Sequence, residues 1–347
     1  MATTSKVKKR NSNIEILRFV LMVSIFLWHL LVHGCDFEFI GYIEYKDNIY
    51  ISIIAAVILV PCVNCFMFIS GWFGMKFRAS KLMNLSFICI ISGLICLPIN
   101  RYIGFGGGHI SLGTLYVTIF PISTRVWWFM TSYMMVYLVS PFIEKGMRVI
   151  NKTEFLYIII GMSLIEVLCI PLKLNWGSSF FGLLYIYILG RFMNLNGIDL
   201  KLKQGLFLYL GMTFIMIAGL ELINLTPIKK GALFWSLQFN NPLIVLQAIG
   251  LFFGVKSIKP NYNKFINKVF QPCLCIYLIT EKILPYKYVV NLFNDNIIKG
   301  ITATCVIVIG SLLIGQLIYL VANKTTFLCQ YSFNLLKENK KIKLLLL

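Results

Sequence analysis

The sequence predicts an all-α, polytopic transmembrane helical bundle of about ten transmembrane helices, with both termini cytoplasmic. Three observations predict it. Of 347 residues, 59% are hydrophobic and 13% charged, and the mean hydropathy of +0.81 exceeds what a water-soluble domain can bury. Ten apolar runs have the length that crosses a bilayer, and Lys and Arg concentrate in alternate loops between them.

A hydrocarbon core of about 30 Å takes about 17 to 25 apolar helical residues. The runs of that kind begin at Ile14, Tyr50, Leu82, Val126, Phe155, Ser178, Gly205, Phe239, Ile266 and Ile297. A bilayer offers no water to pair bare backbone, and none of the runs shows the alternation of a barrel strand, so each is expected as a helix. The first run carries Glu15 and Arg18 and lacks a small-x-small cleavage site, which predicts a retained helix rather than a cleaved signal.

Cytoplasmic loops retain positive charge. With the N-terminus inside, 22 of the 32 Lys and Arg fall on inside segments. An even number of spans returns the C-terminus to the same side. The net charge of +19 is therefore topological, and nucleic acid is not an expected partner. Residues 1–13 read as a basic cytoplasmic N-terminus, 14–322 as the membrane domain, and 323–347 as a basic amphipathic cytoplasmic tail that rides on membrane lipids.

Two outer loops are long. Residues 34–49 gather Asp36, Glu38, Glu44 and Asp47, either a lure for a basic or hydroxyl-rich acceptor or a solvated rim. Residues 100–125 hold Gly106 to Gly108, a flexible turn without the Gly-Lys-Ser/Thr of a phosphate loop, and then SLGTLYVTIF, expected to lie on or dip into the membrane. The ten Cys lie almost all in apolar spans, where a thiol is a small hydrophobe. Cys62-x-x-Cys65 has no second pair and no nearby His, so no metal is expected.

Charge within the bilayer is costly unless paired or hydrated, so each such residue is a functional candidate. They are Glu15, Arg18, His29 and His33 in the first span, Glu166 in the fifth, Glu221 in the seventh, and Glu281 with Lys282 in the ninth. Arg18 and His29 are eleven residues apart, which puts them within about 20° of one helix face and about 16 Å apart along the axis. Glu15 can pair with Arg18 one turn below, and His33 continues the stripe above His29. The stripe outlines a path across the membrane. The simpler alternative is that Arg18 snorkels to headgroups and His29 bonds a neighbouring helix.

These residues carry a resemblance. NIEILRFVLMVSIFLWH resembles the first-helix signature of the integral-membrane acyltransferases of the family 3 type, an Arg followed eleven residues later by a His. FMFISGWF at 66–73, WWFMTSYMMVYLVSPFI at 127–143, FNNPLIVLQAIGLFF and CIYLIT resemble further segments of that family, so the match spans nearly the whole chain. One position departs: Thr280 stands where many relatives have His. The resemblance implies a membrane O-acyltransferase of the bacterial cytoplasmic membrane. Such an enzyme moves an acetyl or other short acyl group from cytoplasmic acetyl-CoA to a hydroxyl of a polysaccharide or glycolipid.

An acyl transfer to a hydroxyl needs a proton acceptor, and imidazole suits that at neutral pH, which makes His29 the expected base. Arg18, Arg78 and Lys81 are cations available to the donor's phosphates, and Arg18 is alternatively placed to steer the thioester or stabilise an oxyanion. Ser70 is either an acyl acceptor or, with Gly71, a close-packing pair. Trp128 and Tyr133 offer faces to a sugar or anchor the interface. A transporter or flippase of a lipid-linked glycan is the main alternative class, but the sequence shows no matched broken helices in two halves.

Overall fold

A computed structural model describes residues 10–35, 49–103, 111–170, 177–224, 237–283 and 286–338, and every regular element among them is helical. Asp36, Glu38, Glu44, Asp47, the Gly106 to Gly108 turn and the last nine residues lie outside the described set. Five helical stretches are long and apolar enough to cross a membrane: Ser12–Gly34, Ile53–Phe73, Ala79–Ile99, Leu202–Leu222 and Ile297–Leu336. Phe180–Leu195 and Pro242–Lys256 are shorter apolar helices.

The first predicted run is α1 (Ser12–His29), capped by Asn11 Oδ1, which accepts from Asn13 N at 3.1 Å. It runs on into a π-helical turn, Leu30–Gly34, whose wider spacing bonds Cys35 N to Leu30 O at 3.2 Å. Such turns recur at functional sites, and this one places His33. The second run is split by Pro61 into α2 (Ile49–Leu59) and α3 (Cys62–Phe73), because proline lacks the N–H that would continue the ladder. Then follow α4 (Ala79–Ile103), α5 (Leu112–Ile119), α6 (Trp128–Val149), α7 (Lys152–Cys169), α8 (Phe180–Leu195), α9 (Leu202–Asn224) and α10 (Pro242–Lys256). Asn151 and Glu154 form a capping box at the start of α7, and Asn241 with Pro242 opens α10. The ninth run is broken into α11 (Lys264–Val269) and α12 (Leu274–Ile283). After α13 (Tyr286–Asp295), the 42-residue α14 (Ile297–Glu338) passes unbroken through residues 322–323.

Burial sorts these helices into an inner and an outer set. Leu21, Met22, Phe26, Phe68, Tyr187, Phe252 and Leu278 of α1, α3, α8, α10 and α12 are buried in one core. On α9 and α14, by contrast, Leu210, Phe214, Val306, Leu313, Leu317 and Leu320 are exposed, an apolar outer face suited to lipid. Two crossings depend on glycine. A Cβ on Gly71 of α3 would stand 2.3 Å from Tyr187 O, and one on Gly205 of α9 2.6 Å from Gly254 N, so these backbones touch as larger residues would forbid. All ten Cys are free thiols, seven of them buried.

The basic loops meet at one end of the bundle. Ser12 N donates to Asn261 O at 2.7 Å and Asn13 Nδ2 to Lys259 O at 2.9 Å, joining the start of α1 to the segment after α10. Lys256 pairs with Asp199 in the loop after α8. Arg191 Nε donates to Glu144 Oε2 at 3.0 Å, Glu144 Oε1 accepts from Tyr187 at 2.6 Å, and the Tyr187 hydroxyl accepts from Met75 N at 3.0 Å. Asn84 Nδ2 donates to Asn323 Oδ1 at 2.8 Å, bringing the second half of α14 to the same end. These contacts join several of the basic segments to one another.

Candidate active site

Helix α1 carries the polar stripe, and what packs on it decides its chemistry. Glu15 is buried, and its Oε1 accepts from Arg18 Nη1 at 2.7 Å, with Arg10 Nε 3.7 Å away. A buried carboxylate thus holds the guanidinium in place. Three turns above Arg18, the His29 ring is nearly buried, and its Nδ1 stands 2.8 Å from Glu281 Oε2 of α12. Glu281 is itself held: the Tyr286 hydroxyl donates toward both Thr280 O at 3.0 Å and Glu281 Oε2 at 3.2 Å. The His33 ring lies 5.6 Å from that of His29 and 5.5 Å from that of Tyr286.

Two cavities flank this stripe. The larger, about 600 Å³, is lined by His29, His33, Trp128, Phe239, Tyr277 and Glu281, with Arg125 also on its wall. The Trp128 indole stacks on Phe239 at 5.7 Å and 26°. Arg125 has φ 53°, a strained conformation of the kind found near functional sites. The smaller cavity, about 170 Å³, is lined by Arg10, Glu15, Arg18, Ser70, Lys81 and Tyr133.

The sequence candidates therefore divide. Glu15, Arg18, Ser70, Lys81 and Tyr133 face the smaller cavity, and His29, His33 and Trp128 the larger. Arg78 lines neither; it is exposed, with its backbone N donating to the Tyr137 hydroxyl at 2.8 Å. Ser70 Oγ reaches back to Phe66 O at 3.4 Å, while its neighbour Gly71 makes the closest helix crossing. Thr280 is fully buried and donates to Ile276 O at 2.7 Å, so it turns into its own helix and Glu281 faces His29 instead. Glu166 is buried on α7, where its backbone O accepts from Asn240 Nδ2 at 2.8 Å, and it lines neither cavity. Tyr286 is the residue that sequence reasoning misses, and Glu281 enters there only beside His33, as a replacement for the His absent at 280. The signal for Glu281 was its charge inside a span; its partner was invisible.

A carboxylate 2.8 Å from Nδ1 favours the tautomer that leaves Nε2 as the proton acceptor, although in this geometry the contact is a close ion-pair approach and not a regular hydrogen bond. Ligand atoms of His29, His33 and Glu281 also lie within 4.8 Å of one another, a zinc-type donor set. Bonds of about 2.1 Å to a tetrahedral ion would bring such atoms to about 3.3–3.4 Å, so the set closes on a cation only after drawing together. As it stands, the His29 and Glu281 contact has the shape of a proton-transfer dyad.

These features define a helical membrane protein with a polar site inside it: Arg18 and His29 on one stripe of α1, with Glu281 of α12 set against His29. The family of acyltransferase domains designated Acyl_transf_3 matches residues 11–320, and the chain belongs to that family. It is an acyltransferase. Comparison with curated proteins gave no match, and neither did comparison with solved structures.

Proposed function

We propose that the protein moves an acetyl or other short acyl group from cytoplasmic acyl-CoA to a hydroxyl of a polysaccharide or glycolipid across the bacterial cytoplasmic membrane. The observation that carries this reading is the His29–Glu281 contact at 2.8 Å on the wall of the larger cavity, one stripe above Arg18 in the smaller. The end of the bundle where basic loops gather faces the cytoplasm, in keeping with the charge rule, and ten spans return both termini there. The smaller cavity then opens to the donor side. At about 170 Å³ it takes the thioester end of the donor rather than the nucleotide. Arg18, Arg10 and Lys81 supply its positive charge.

The acceptor occupies the larger cavity, with a sugar face on Trp128. Its hydroxyl oxygen attacks the thioester carbonyl as His29 Nε2 takes the hydroxyl proton. The new C–O bond forms, the C–S bond breaks, and the proton passes to the departing thiolate, which leaves as CoA thiol. Glu281 stabilises the imidazolium in between, and Tyr286 holds Glu281. Arg18, held by Glu15 in the smaller cavity, draws the anionic donor into that cavity.

The test is transfer of label from radioactive acetyl-CoA into alkali-releasable carbohydrate in permeabilised membranes. Label that appears only with the protein supports the reading. Membranes that retain glycan export yet transfer no label refute it.

A further inference from the structure

Among the described residues, one side chain, Phe129 of α6, lines both cavities. The residue is 3% exposed, so it is a wall and not a loose flap. Two of its aromatic neighbours belong to the smaller cavity: Phe66 of α3, edge-on at 5.7 Å and 79°, and Tyr133, at 5.9 Å. Two belong to the larger: Trp128, edge-on at 6.0 Å, and Tyr277 of α12, at 6.2 Å and 88°. The side chain is thus gripped from both sides and stands between the Arg18 compartment and the His29 compartment.

We propose that Phe129 is the partition between the donor and acceptor cavities and that its size sets the length of acyl chain the enzyme transfers. The inference rests on the acyltransferase reading above and deepens it. A thioester carbonyl entering beside Arg18 reaches the hydroxyl beside His29 only past this ring. A small acyl group passes with rotation of one side chain; a longer one collides with the ring and its four aromatic neighbours. The same wall keeps water of the larger cavity from the thioester. Without it, water attacks the carbonyl, a C–O bond forms, the C–S bond breaks, and free acid and CoA thiol result.

The experiment compares membranes containing the wild type, Phe129→Leu and Phe129→Trp, each supplied with radiolabelled acetyl-, butyryl- or hexanoyl-CoA. Label is read in alkali-releasable carbohydrate and in free carboxylic acid. A pocket wall discriminates chain length by about 10- to 200-fold per methylene. Phe129→Leu is expected to raise the butyryl-to-acetyl transfer ratio at least about tenfold on that scale and to increase free acid. Phe129→Trp is expected to lower the ratio. Should Phe129→Leu fail to accumulate, Phe129→Met, flexible and of similar volume, is read in its place. Equal ratios in all proteins, or rates that fall together for every chain length, would mean that Phe129 is packing alone and overturn the partition. A wild type that transfers no acyl group from any CoA ester overturns the acyltransferase reading, and the partition with it, so the two failures are told apart.

Discussion

Replacing Glu281 by Gln removes one charge from behind His29 while keeping the shape of the side chain. The carboxylate stands 2.8 Å from His29 Nδ1, and in the proposed reaction the ring passes through an imidazolium. Unit charges about 4 Å apart attract by about 4 kcal/mol at an effective dielectric of 20. The Glu281 side chain is 25% exposed, and solvent screening reduces the figure. A remaining loss of about 2–3 kcal/mol corresponds to a rate lower by about 30- to 150-fold. The assay is initial acetyl transfer in membranes at matched protein amounts, with maximal rate and half-saturating acetyl-CoA measured separately. The loss is expected in the maximal rate, with the donor requirement unchanged, and Glu281→Asp is expected to recover part of it. A structural role alone would instead show as lowered thermal stability in detergent with a normal rate per folded molecule. Transfer by Glu281→Gln within about twofold of wild type would refute the dyad.

Other substitutions separate chemistry from packing. Ser70→Ala is expected to retain transfer within about threefold, since the proposed transfer is direct and Ser70 Oγ is turned back to Phe66 O; loss of all transfer with normal folding would point to a seryl intermediate instead. Gly71→Ala puts a Cβ 2.3 Å from Tyr187 O, so α3 and α8 must part, and detergent thermal midpoints are expected to fall. An unchanged midpoint would contradict the close crossing. Tyr187→Phe leaves the buried Met75 N–H without its acceptor, a cost of about 1–3 kcal/mol visible as a lower midpoint with the catalytic rate per folded molecule intact.

Much of this was legible in the sequence, and for physical reasons. The bilayer forces apolar runs into helices, so each of the ten starts falls on or beside an observed helix, including Ile14 in α1 and Phe155 in α7. Helical geometry alone put Arg18 with Glu15 and His33 above His29, because residues three and four apart share a face. The breaks were harder. Pro61 interrupts the second run and the residues around Gln271 interrupt the ninth, although both read as continuous apolar stretches. Hidden altogether was the contact between α1 and α12. Periodicity says which face a residue occupies, not which helix lies against it, so Glu281 was visible as a charge but not as the partner of His29. Tyr133 shows the same limit. As an interfacial aromatic near Trp128 it read as part of the same sugar platform, yet one helical turn lower it lines the cavity of Arg18.

The most direct test of the central claim is the base-labile ester content of envelope and exported polysaccharide. It compares cells carrying the wild type, cells carrying His29→Ala and cells lacking the protein. The account predicts esters with the wild type alone, with His29→Ala present in the membrane at the same level. Equal ester content in all three, together with loss of glycan export when the protein is absent, would contradict it and make the protein a carrier of glycan rather than of acyl groups.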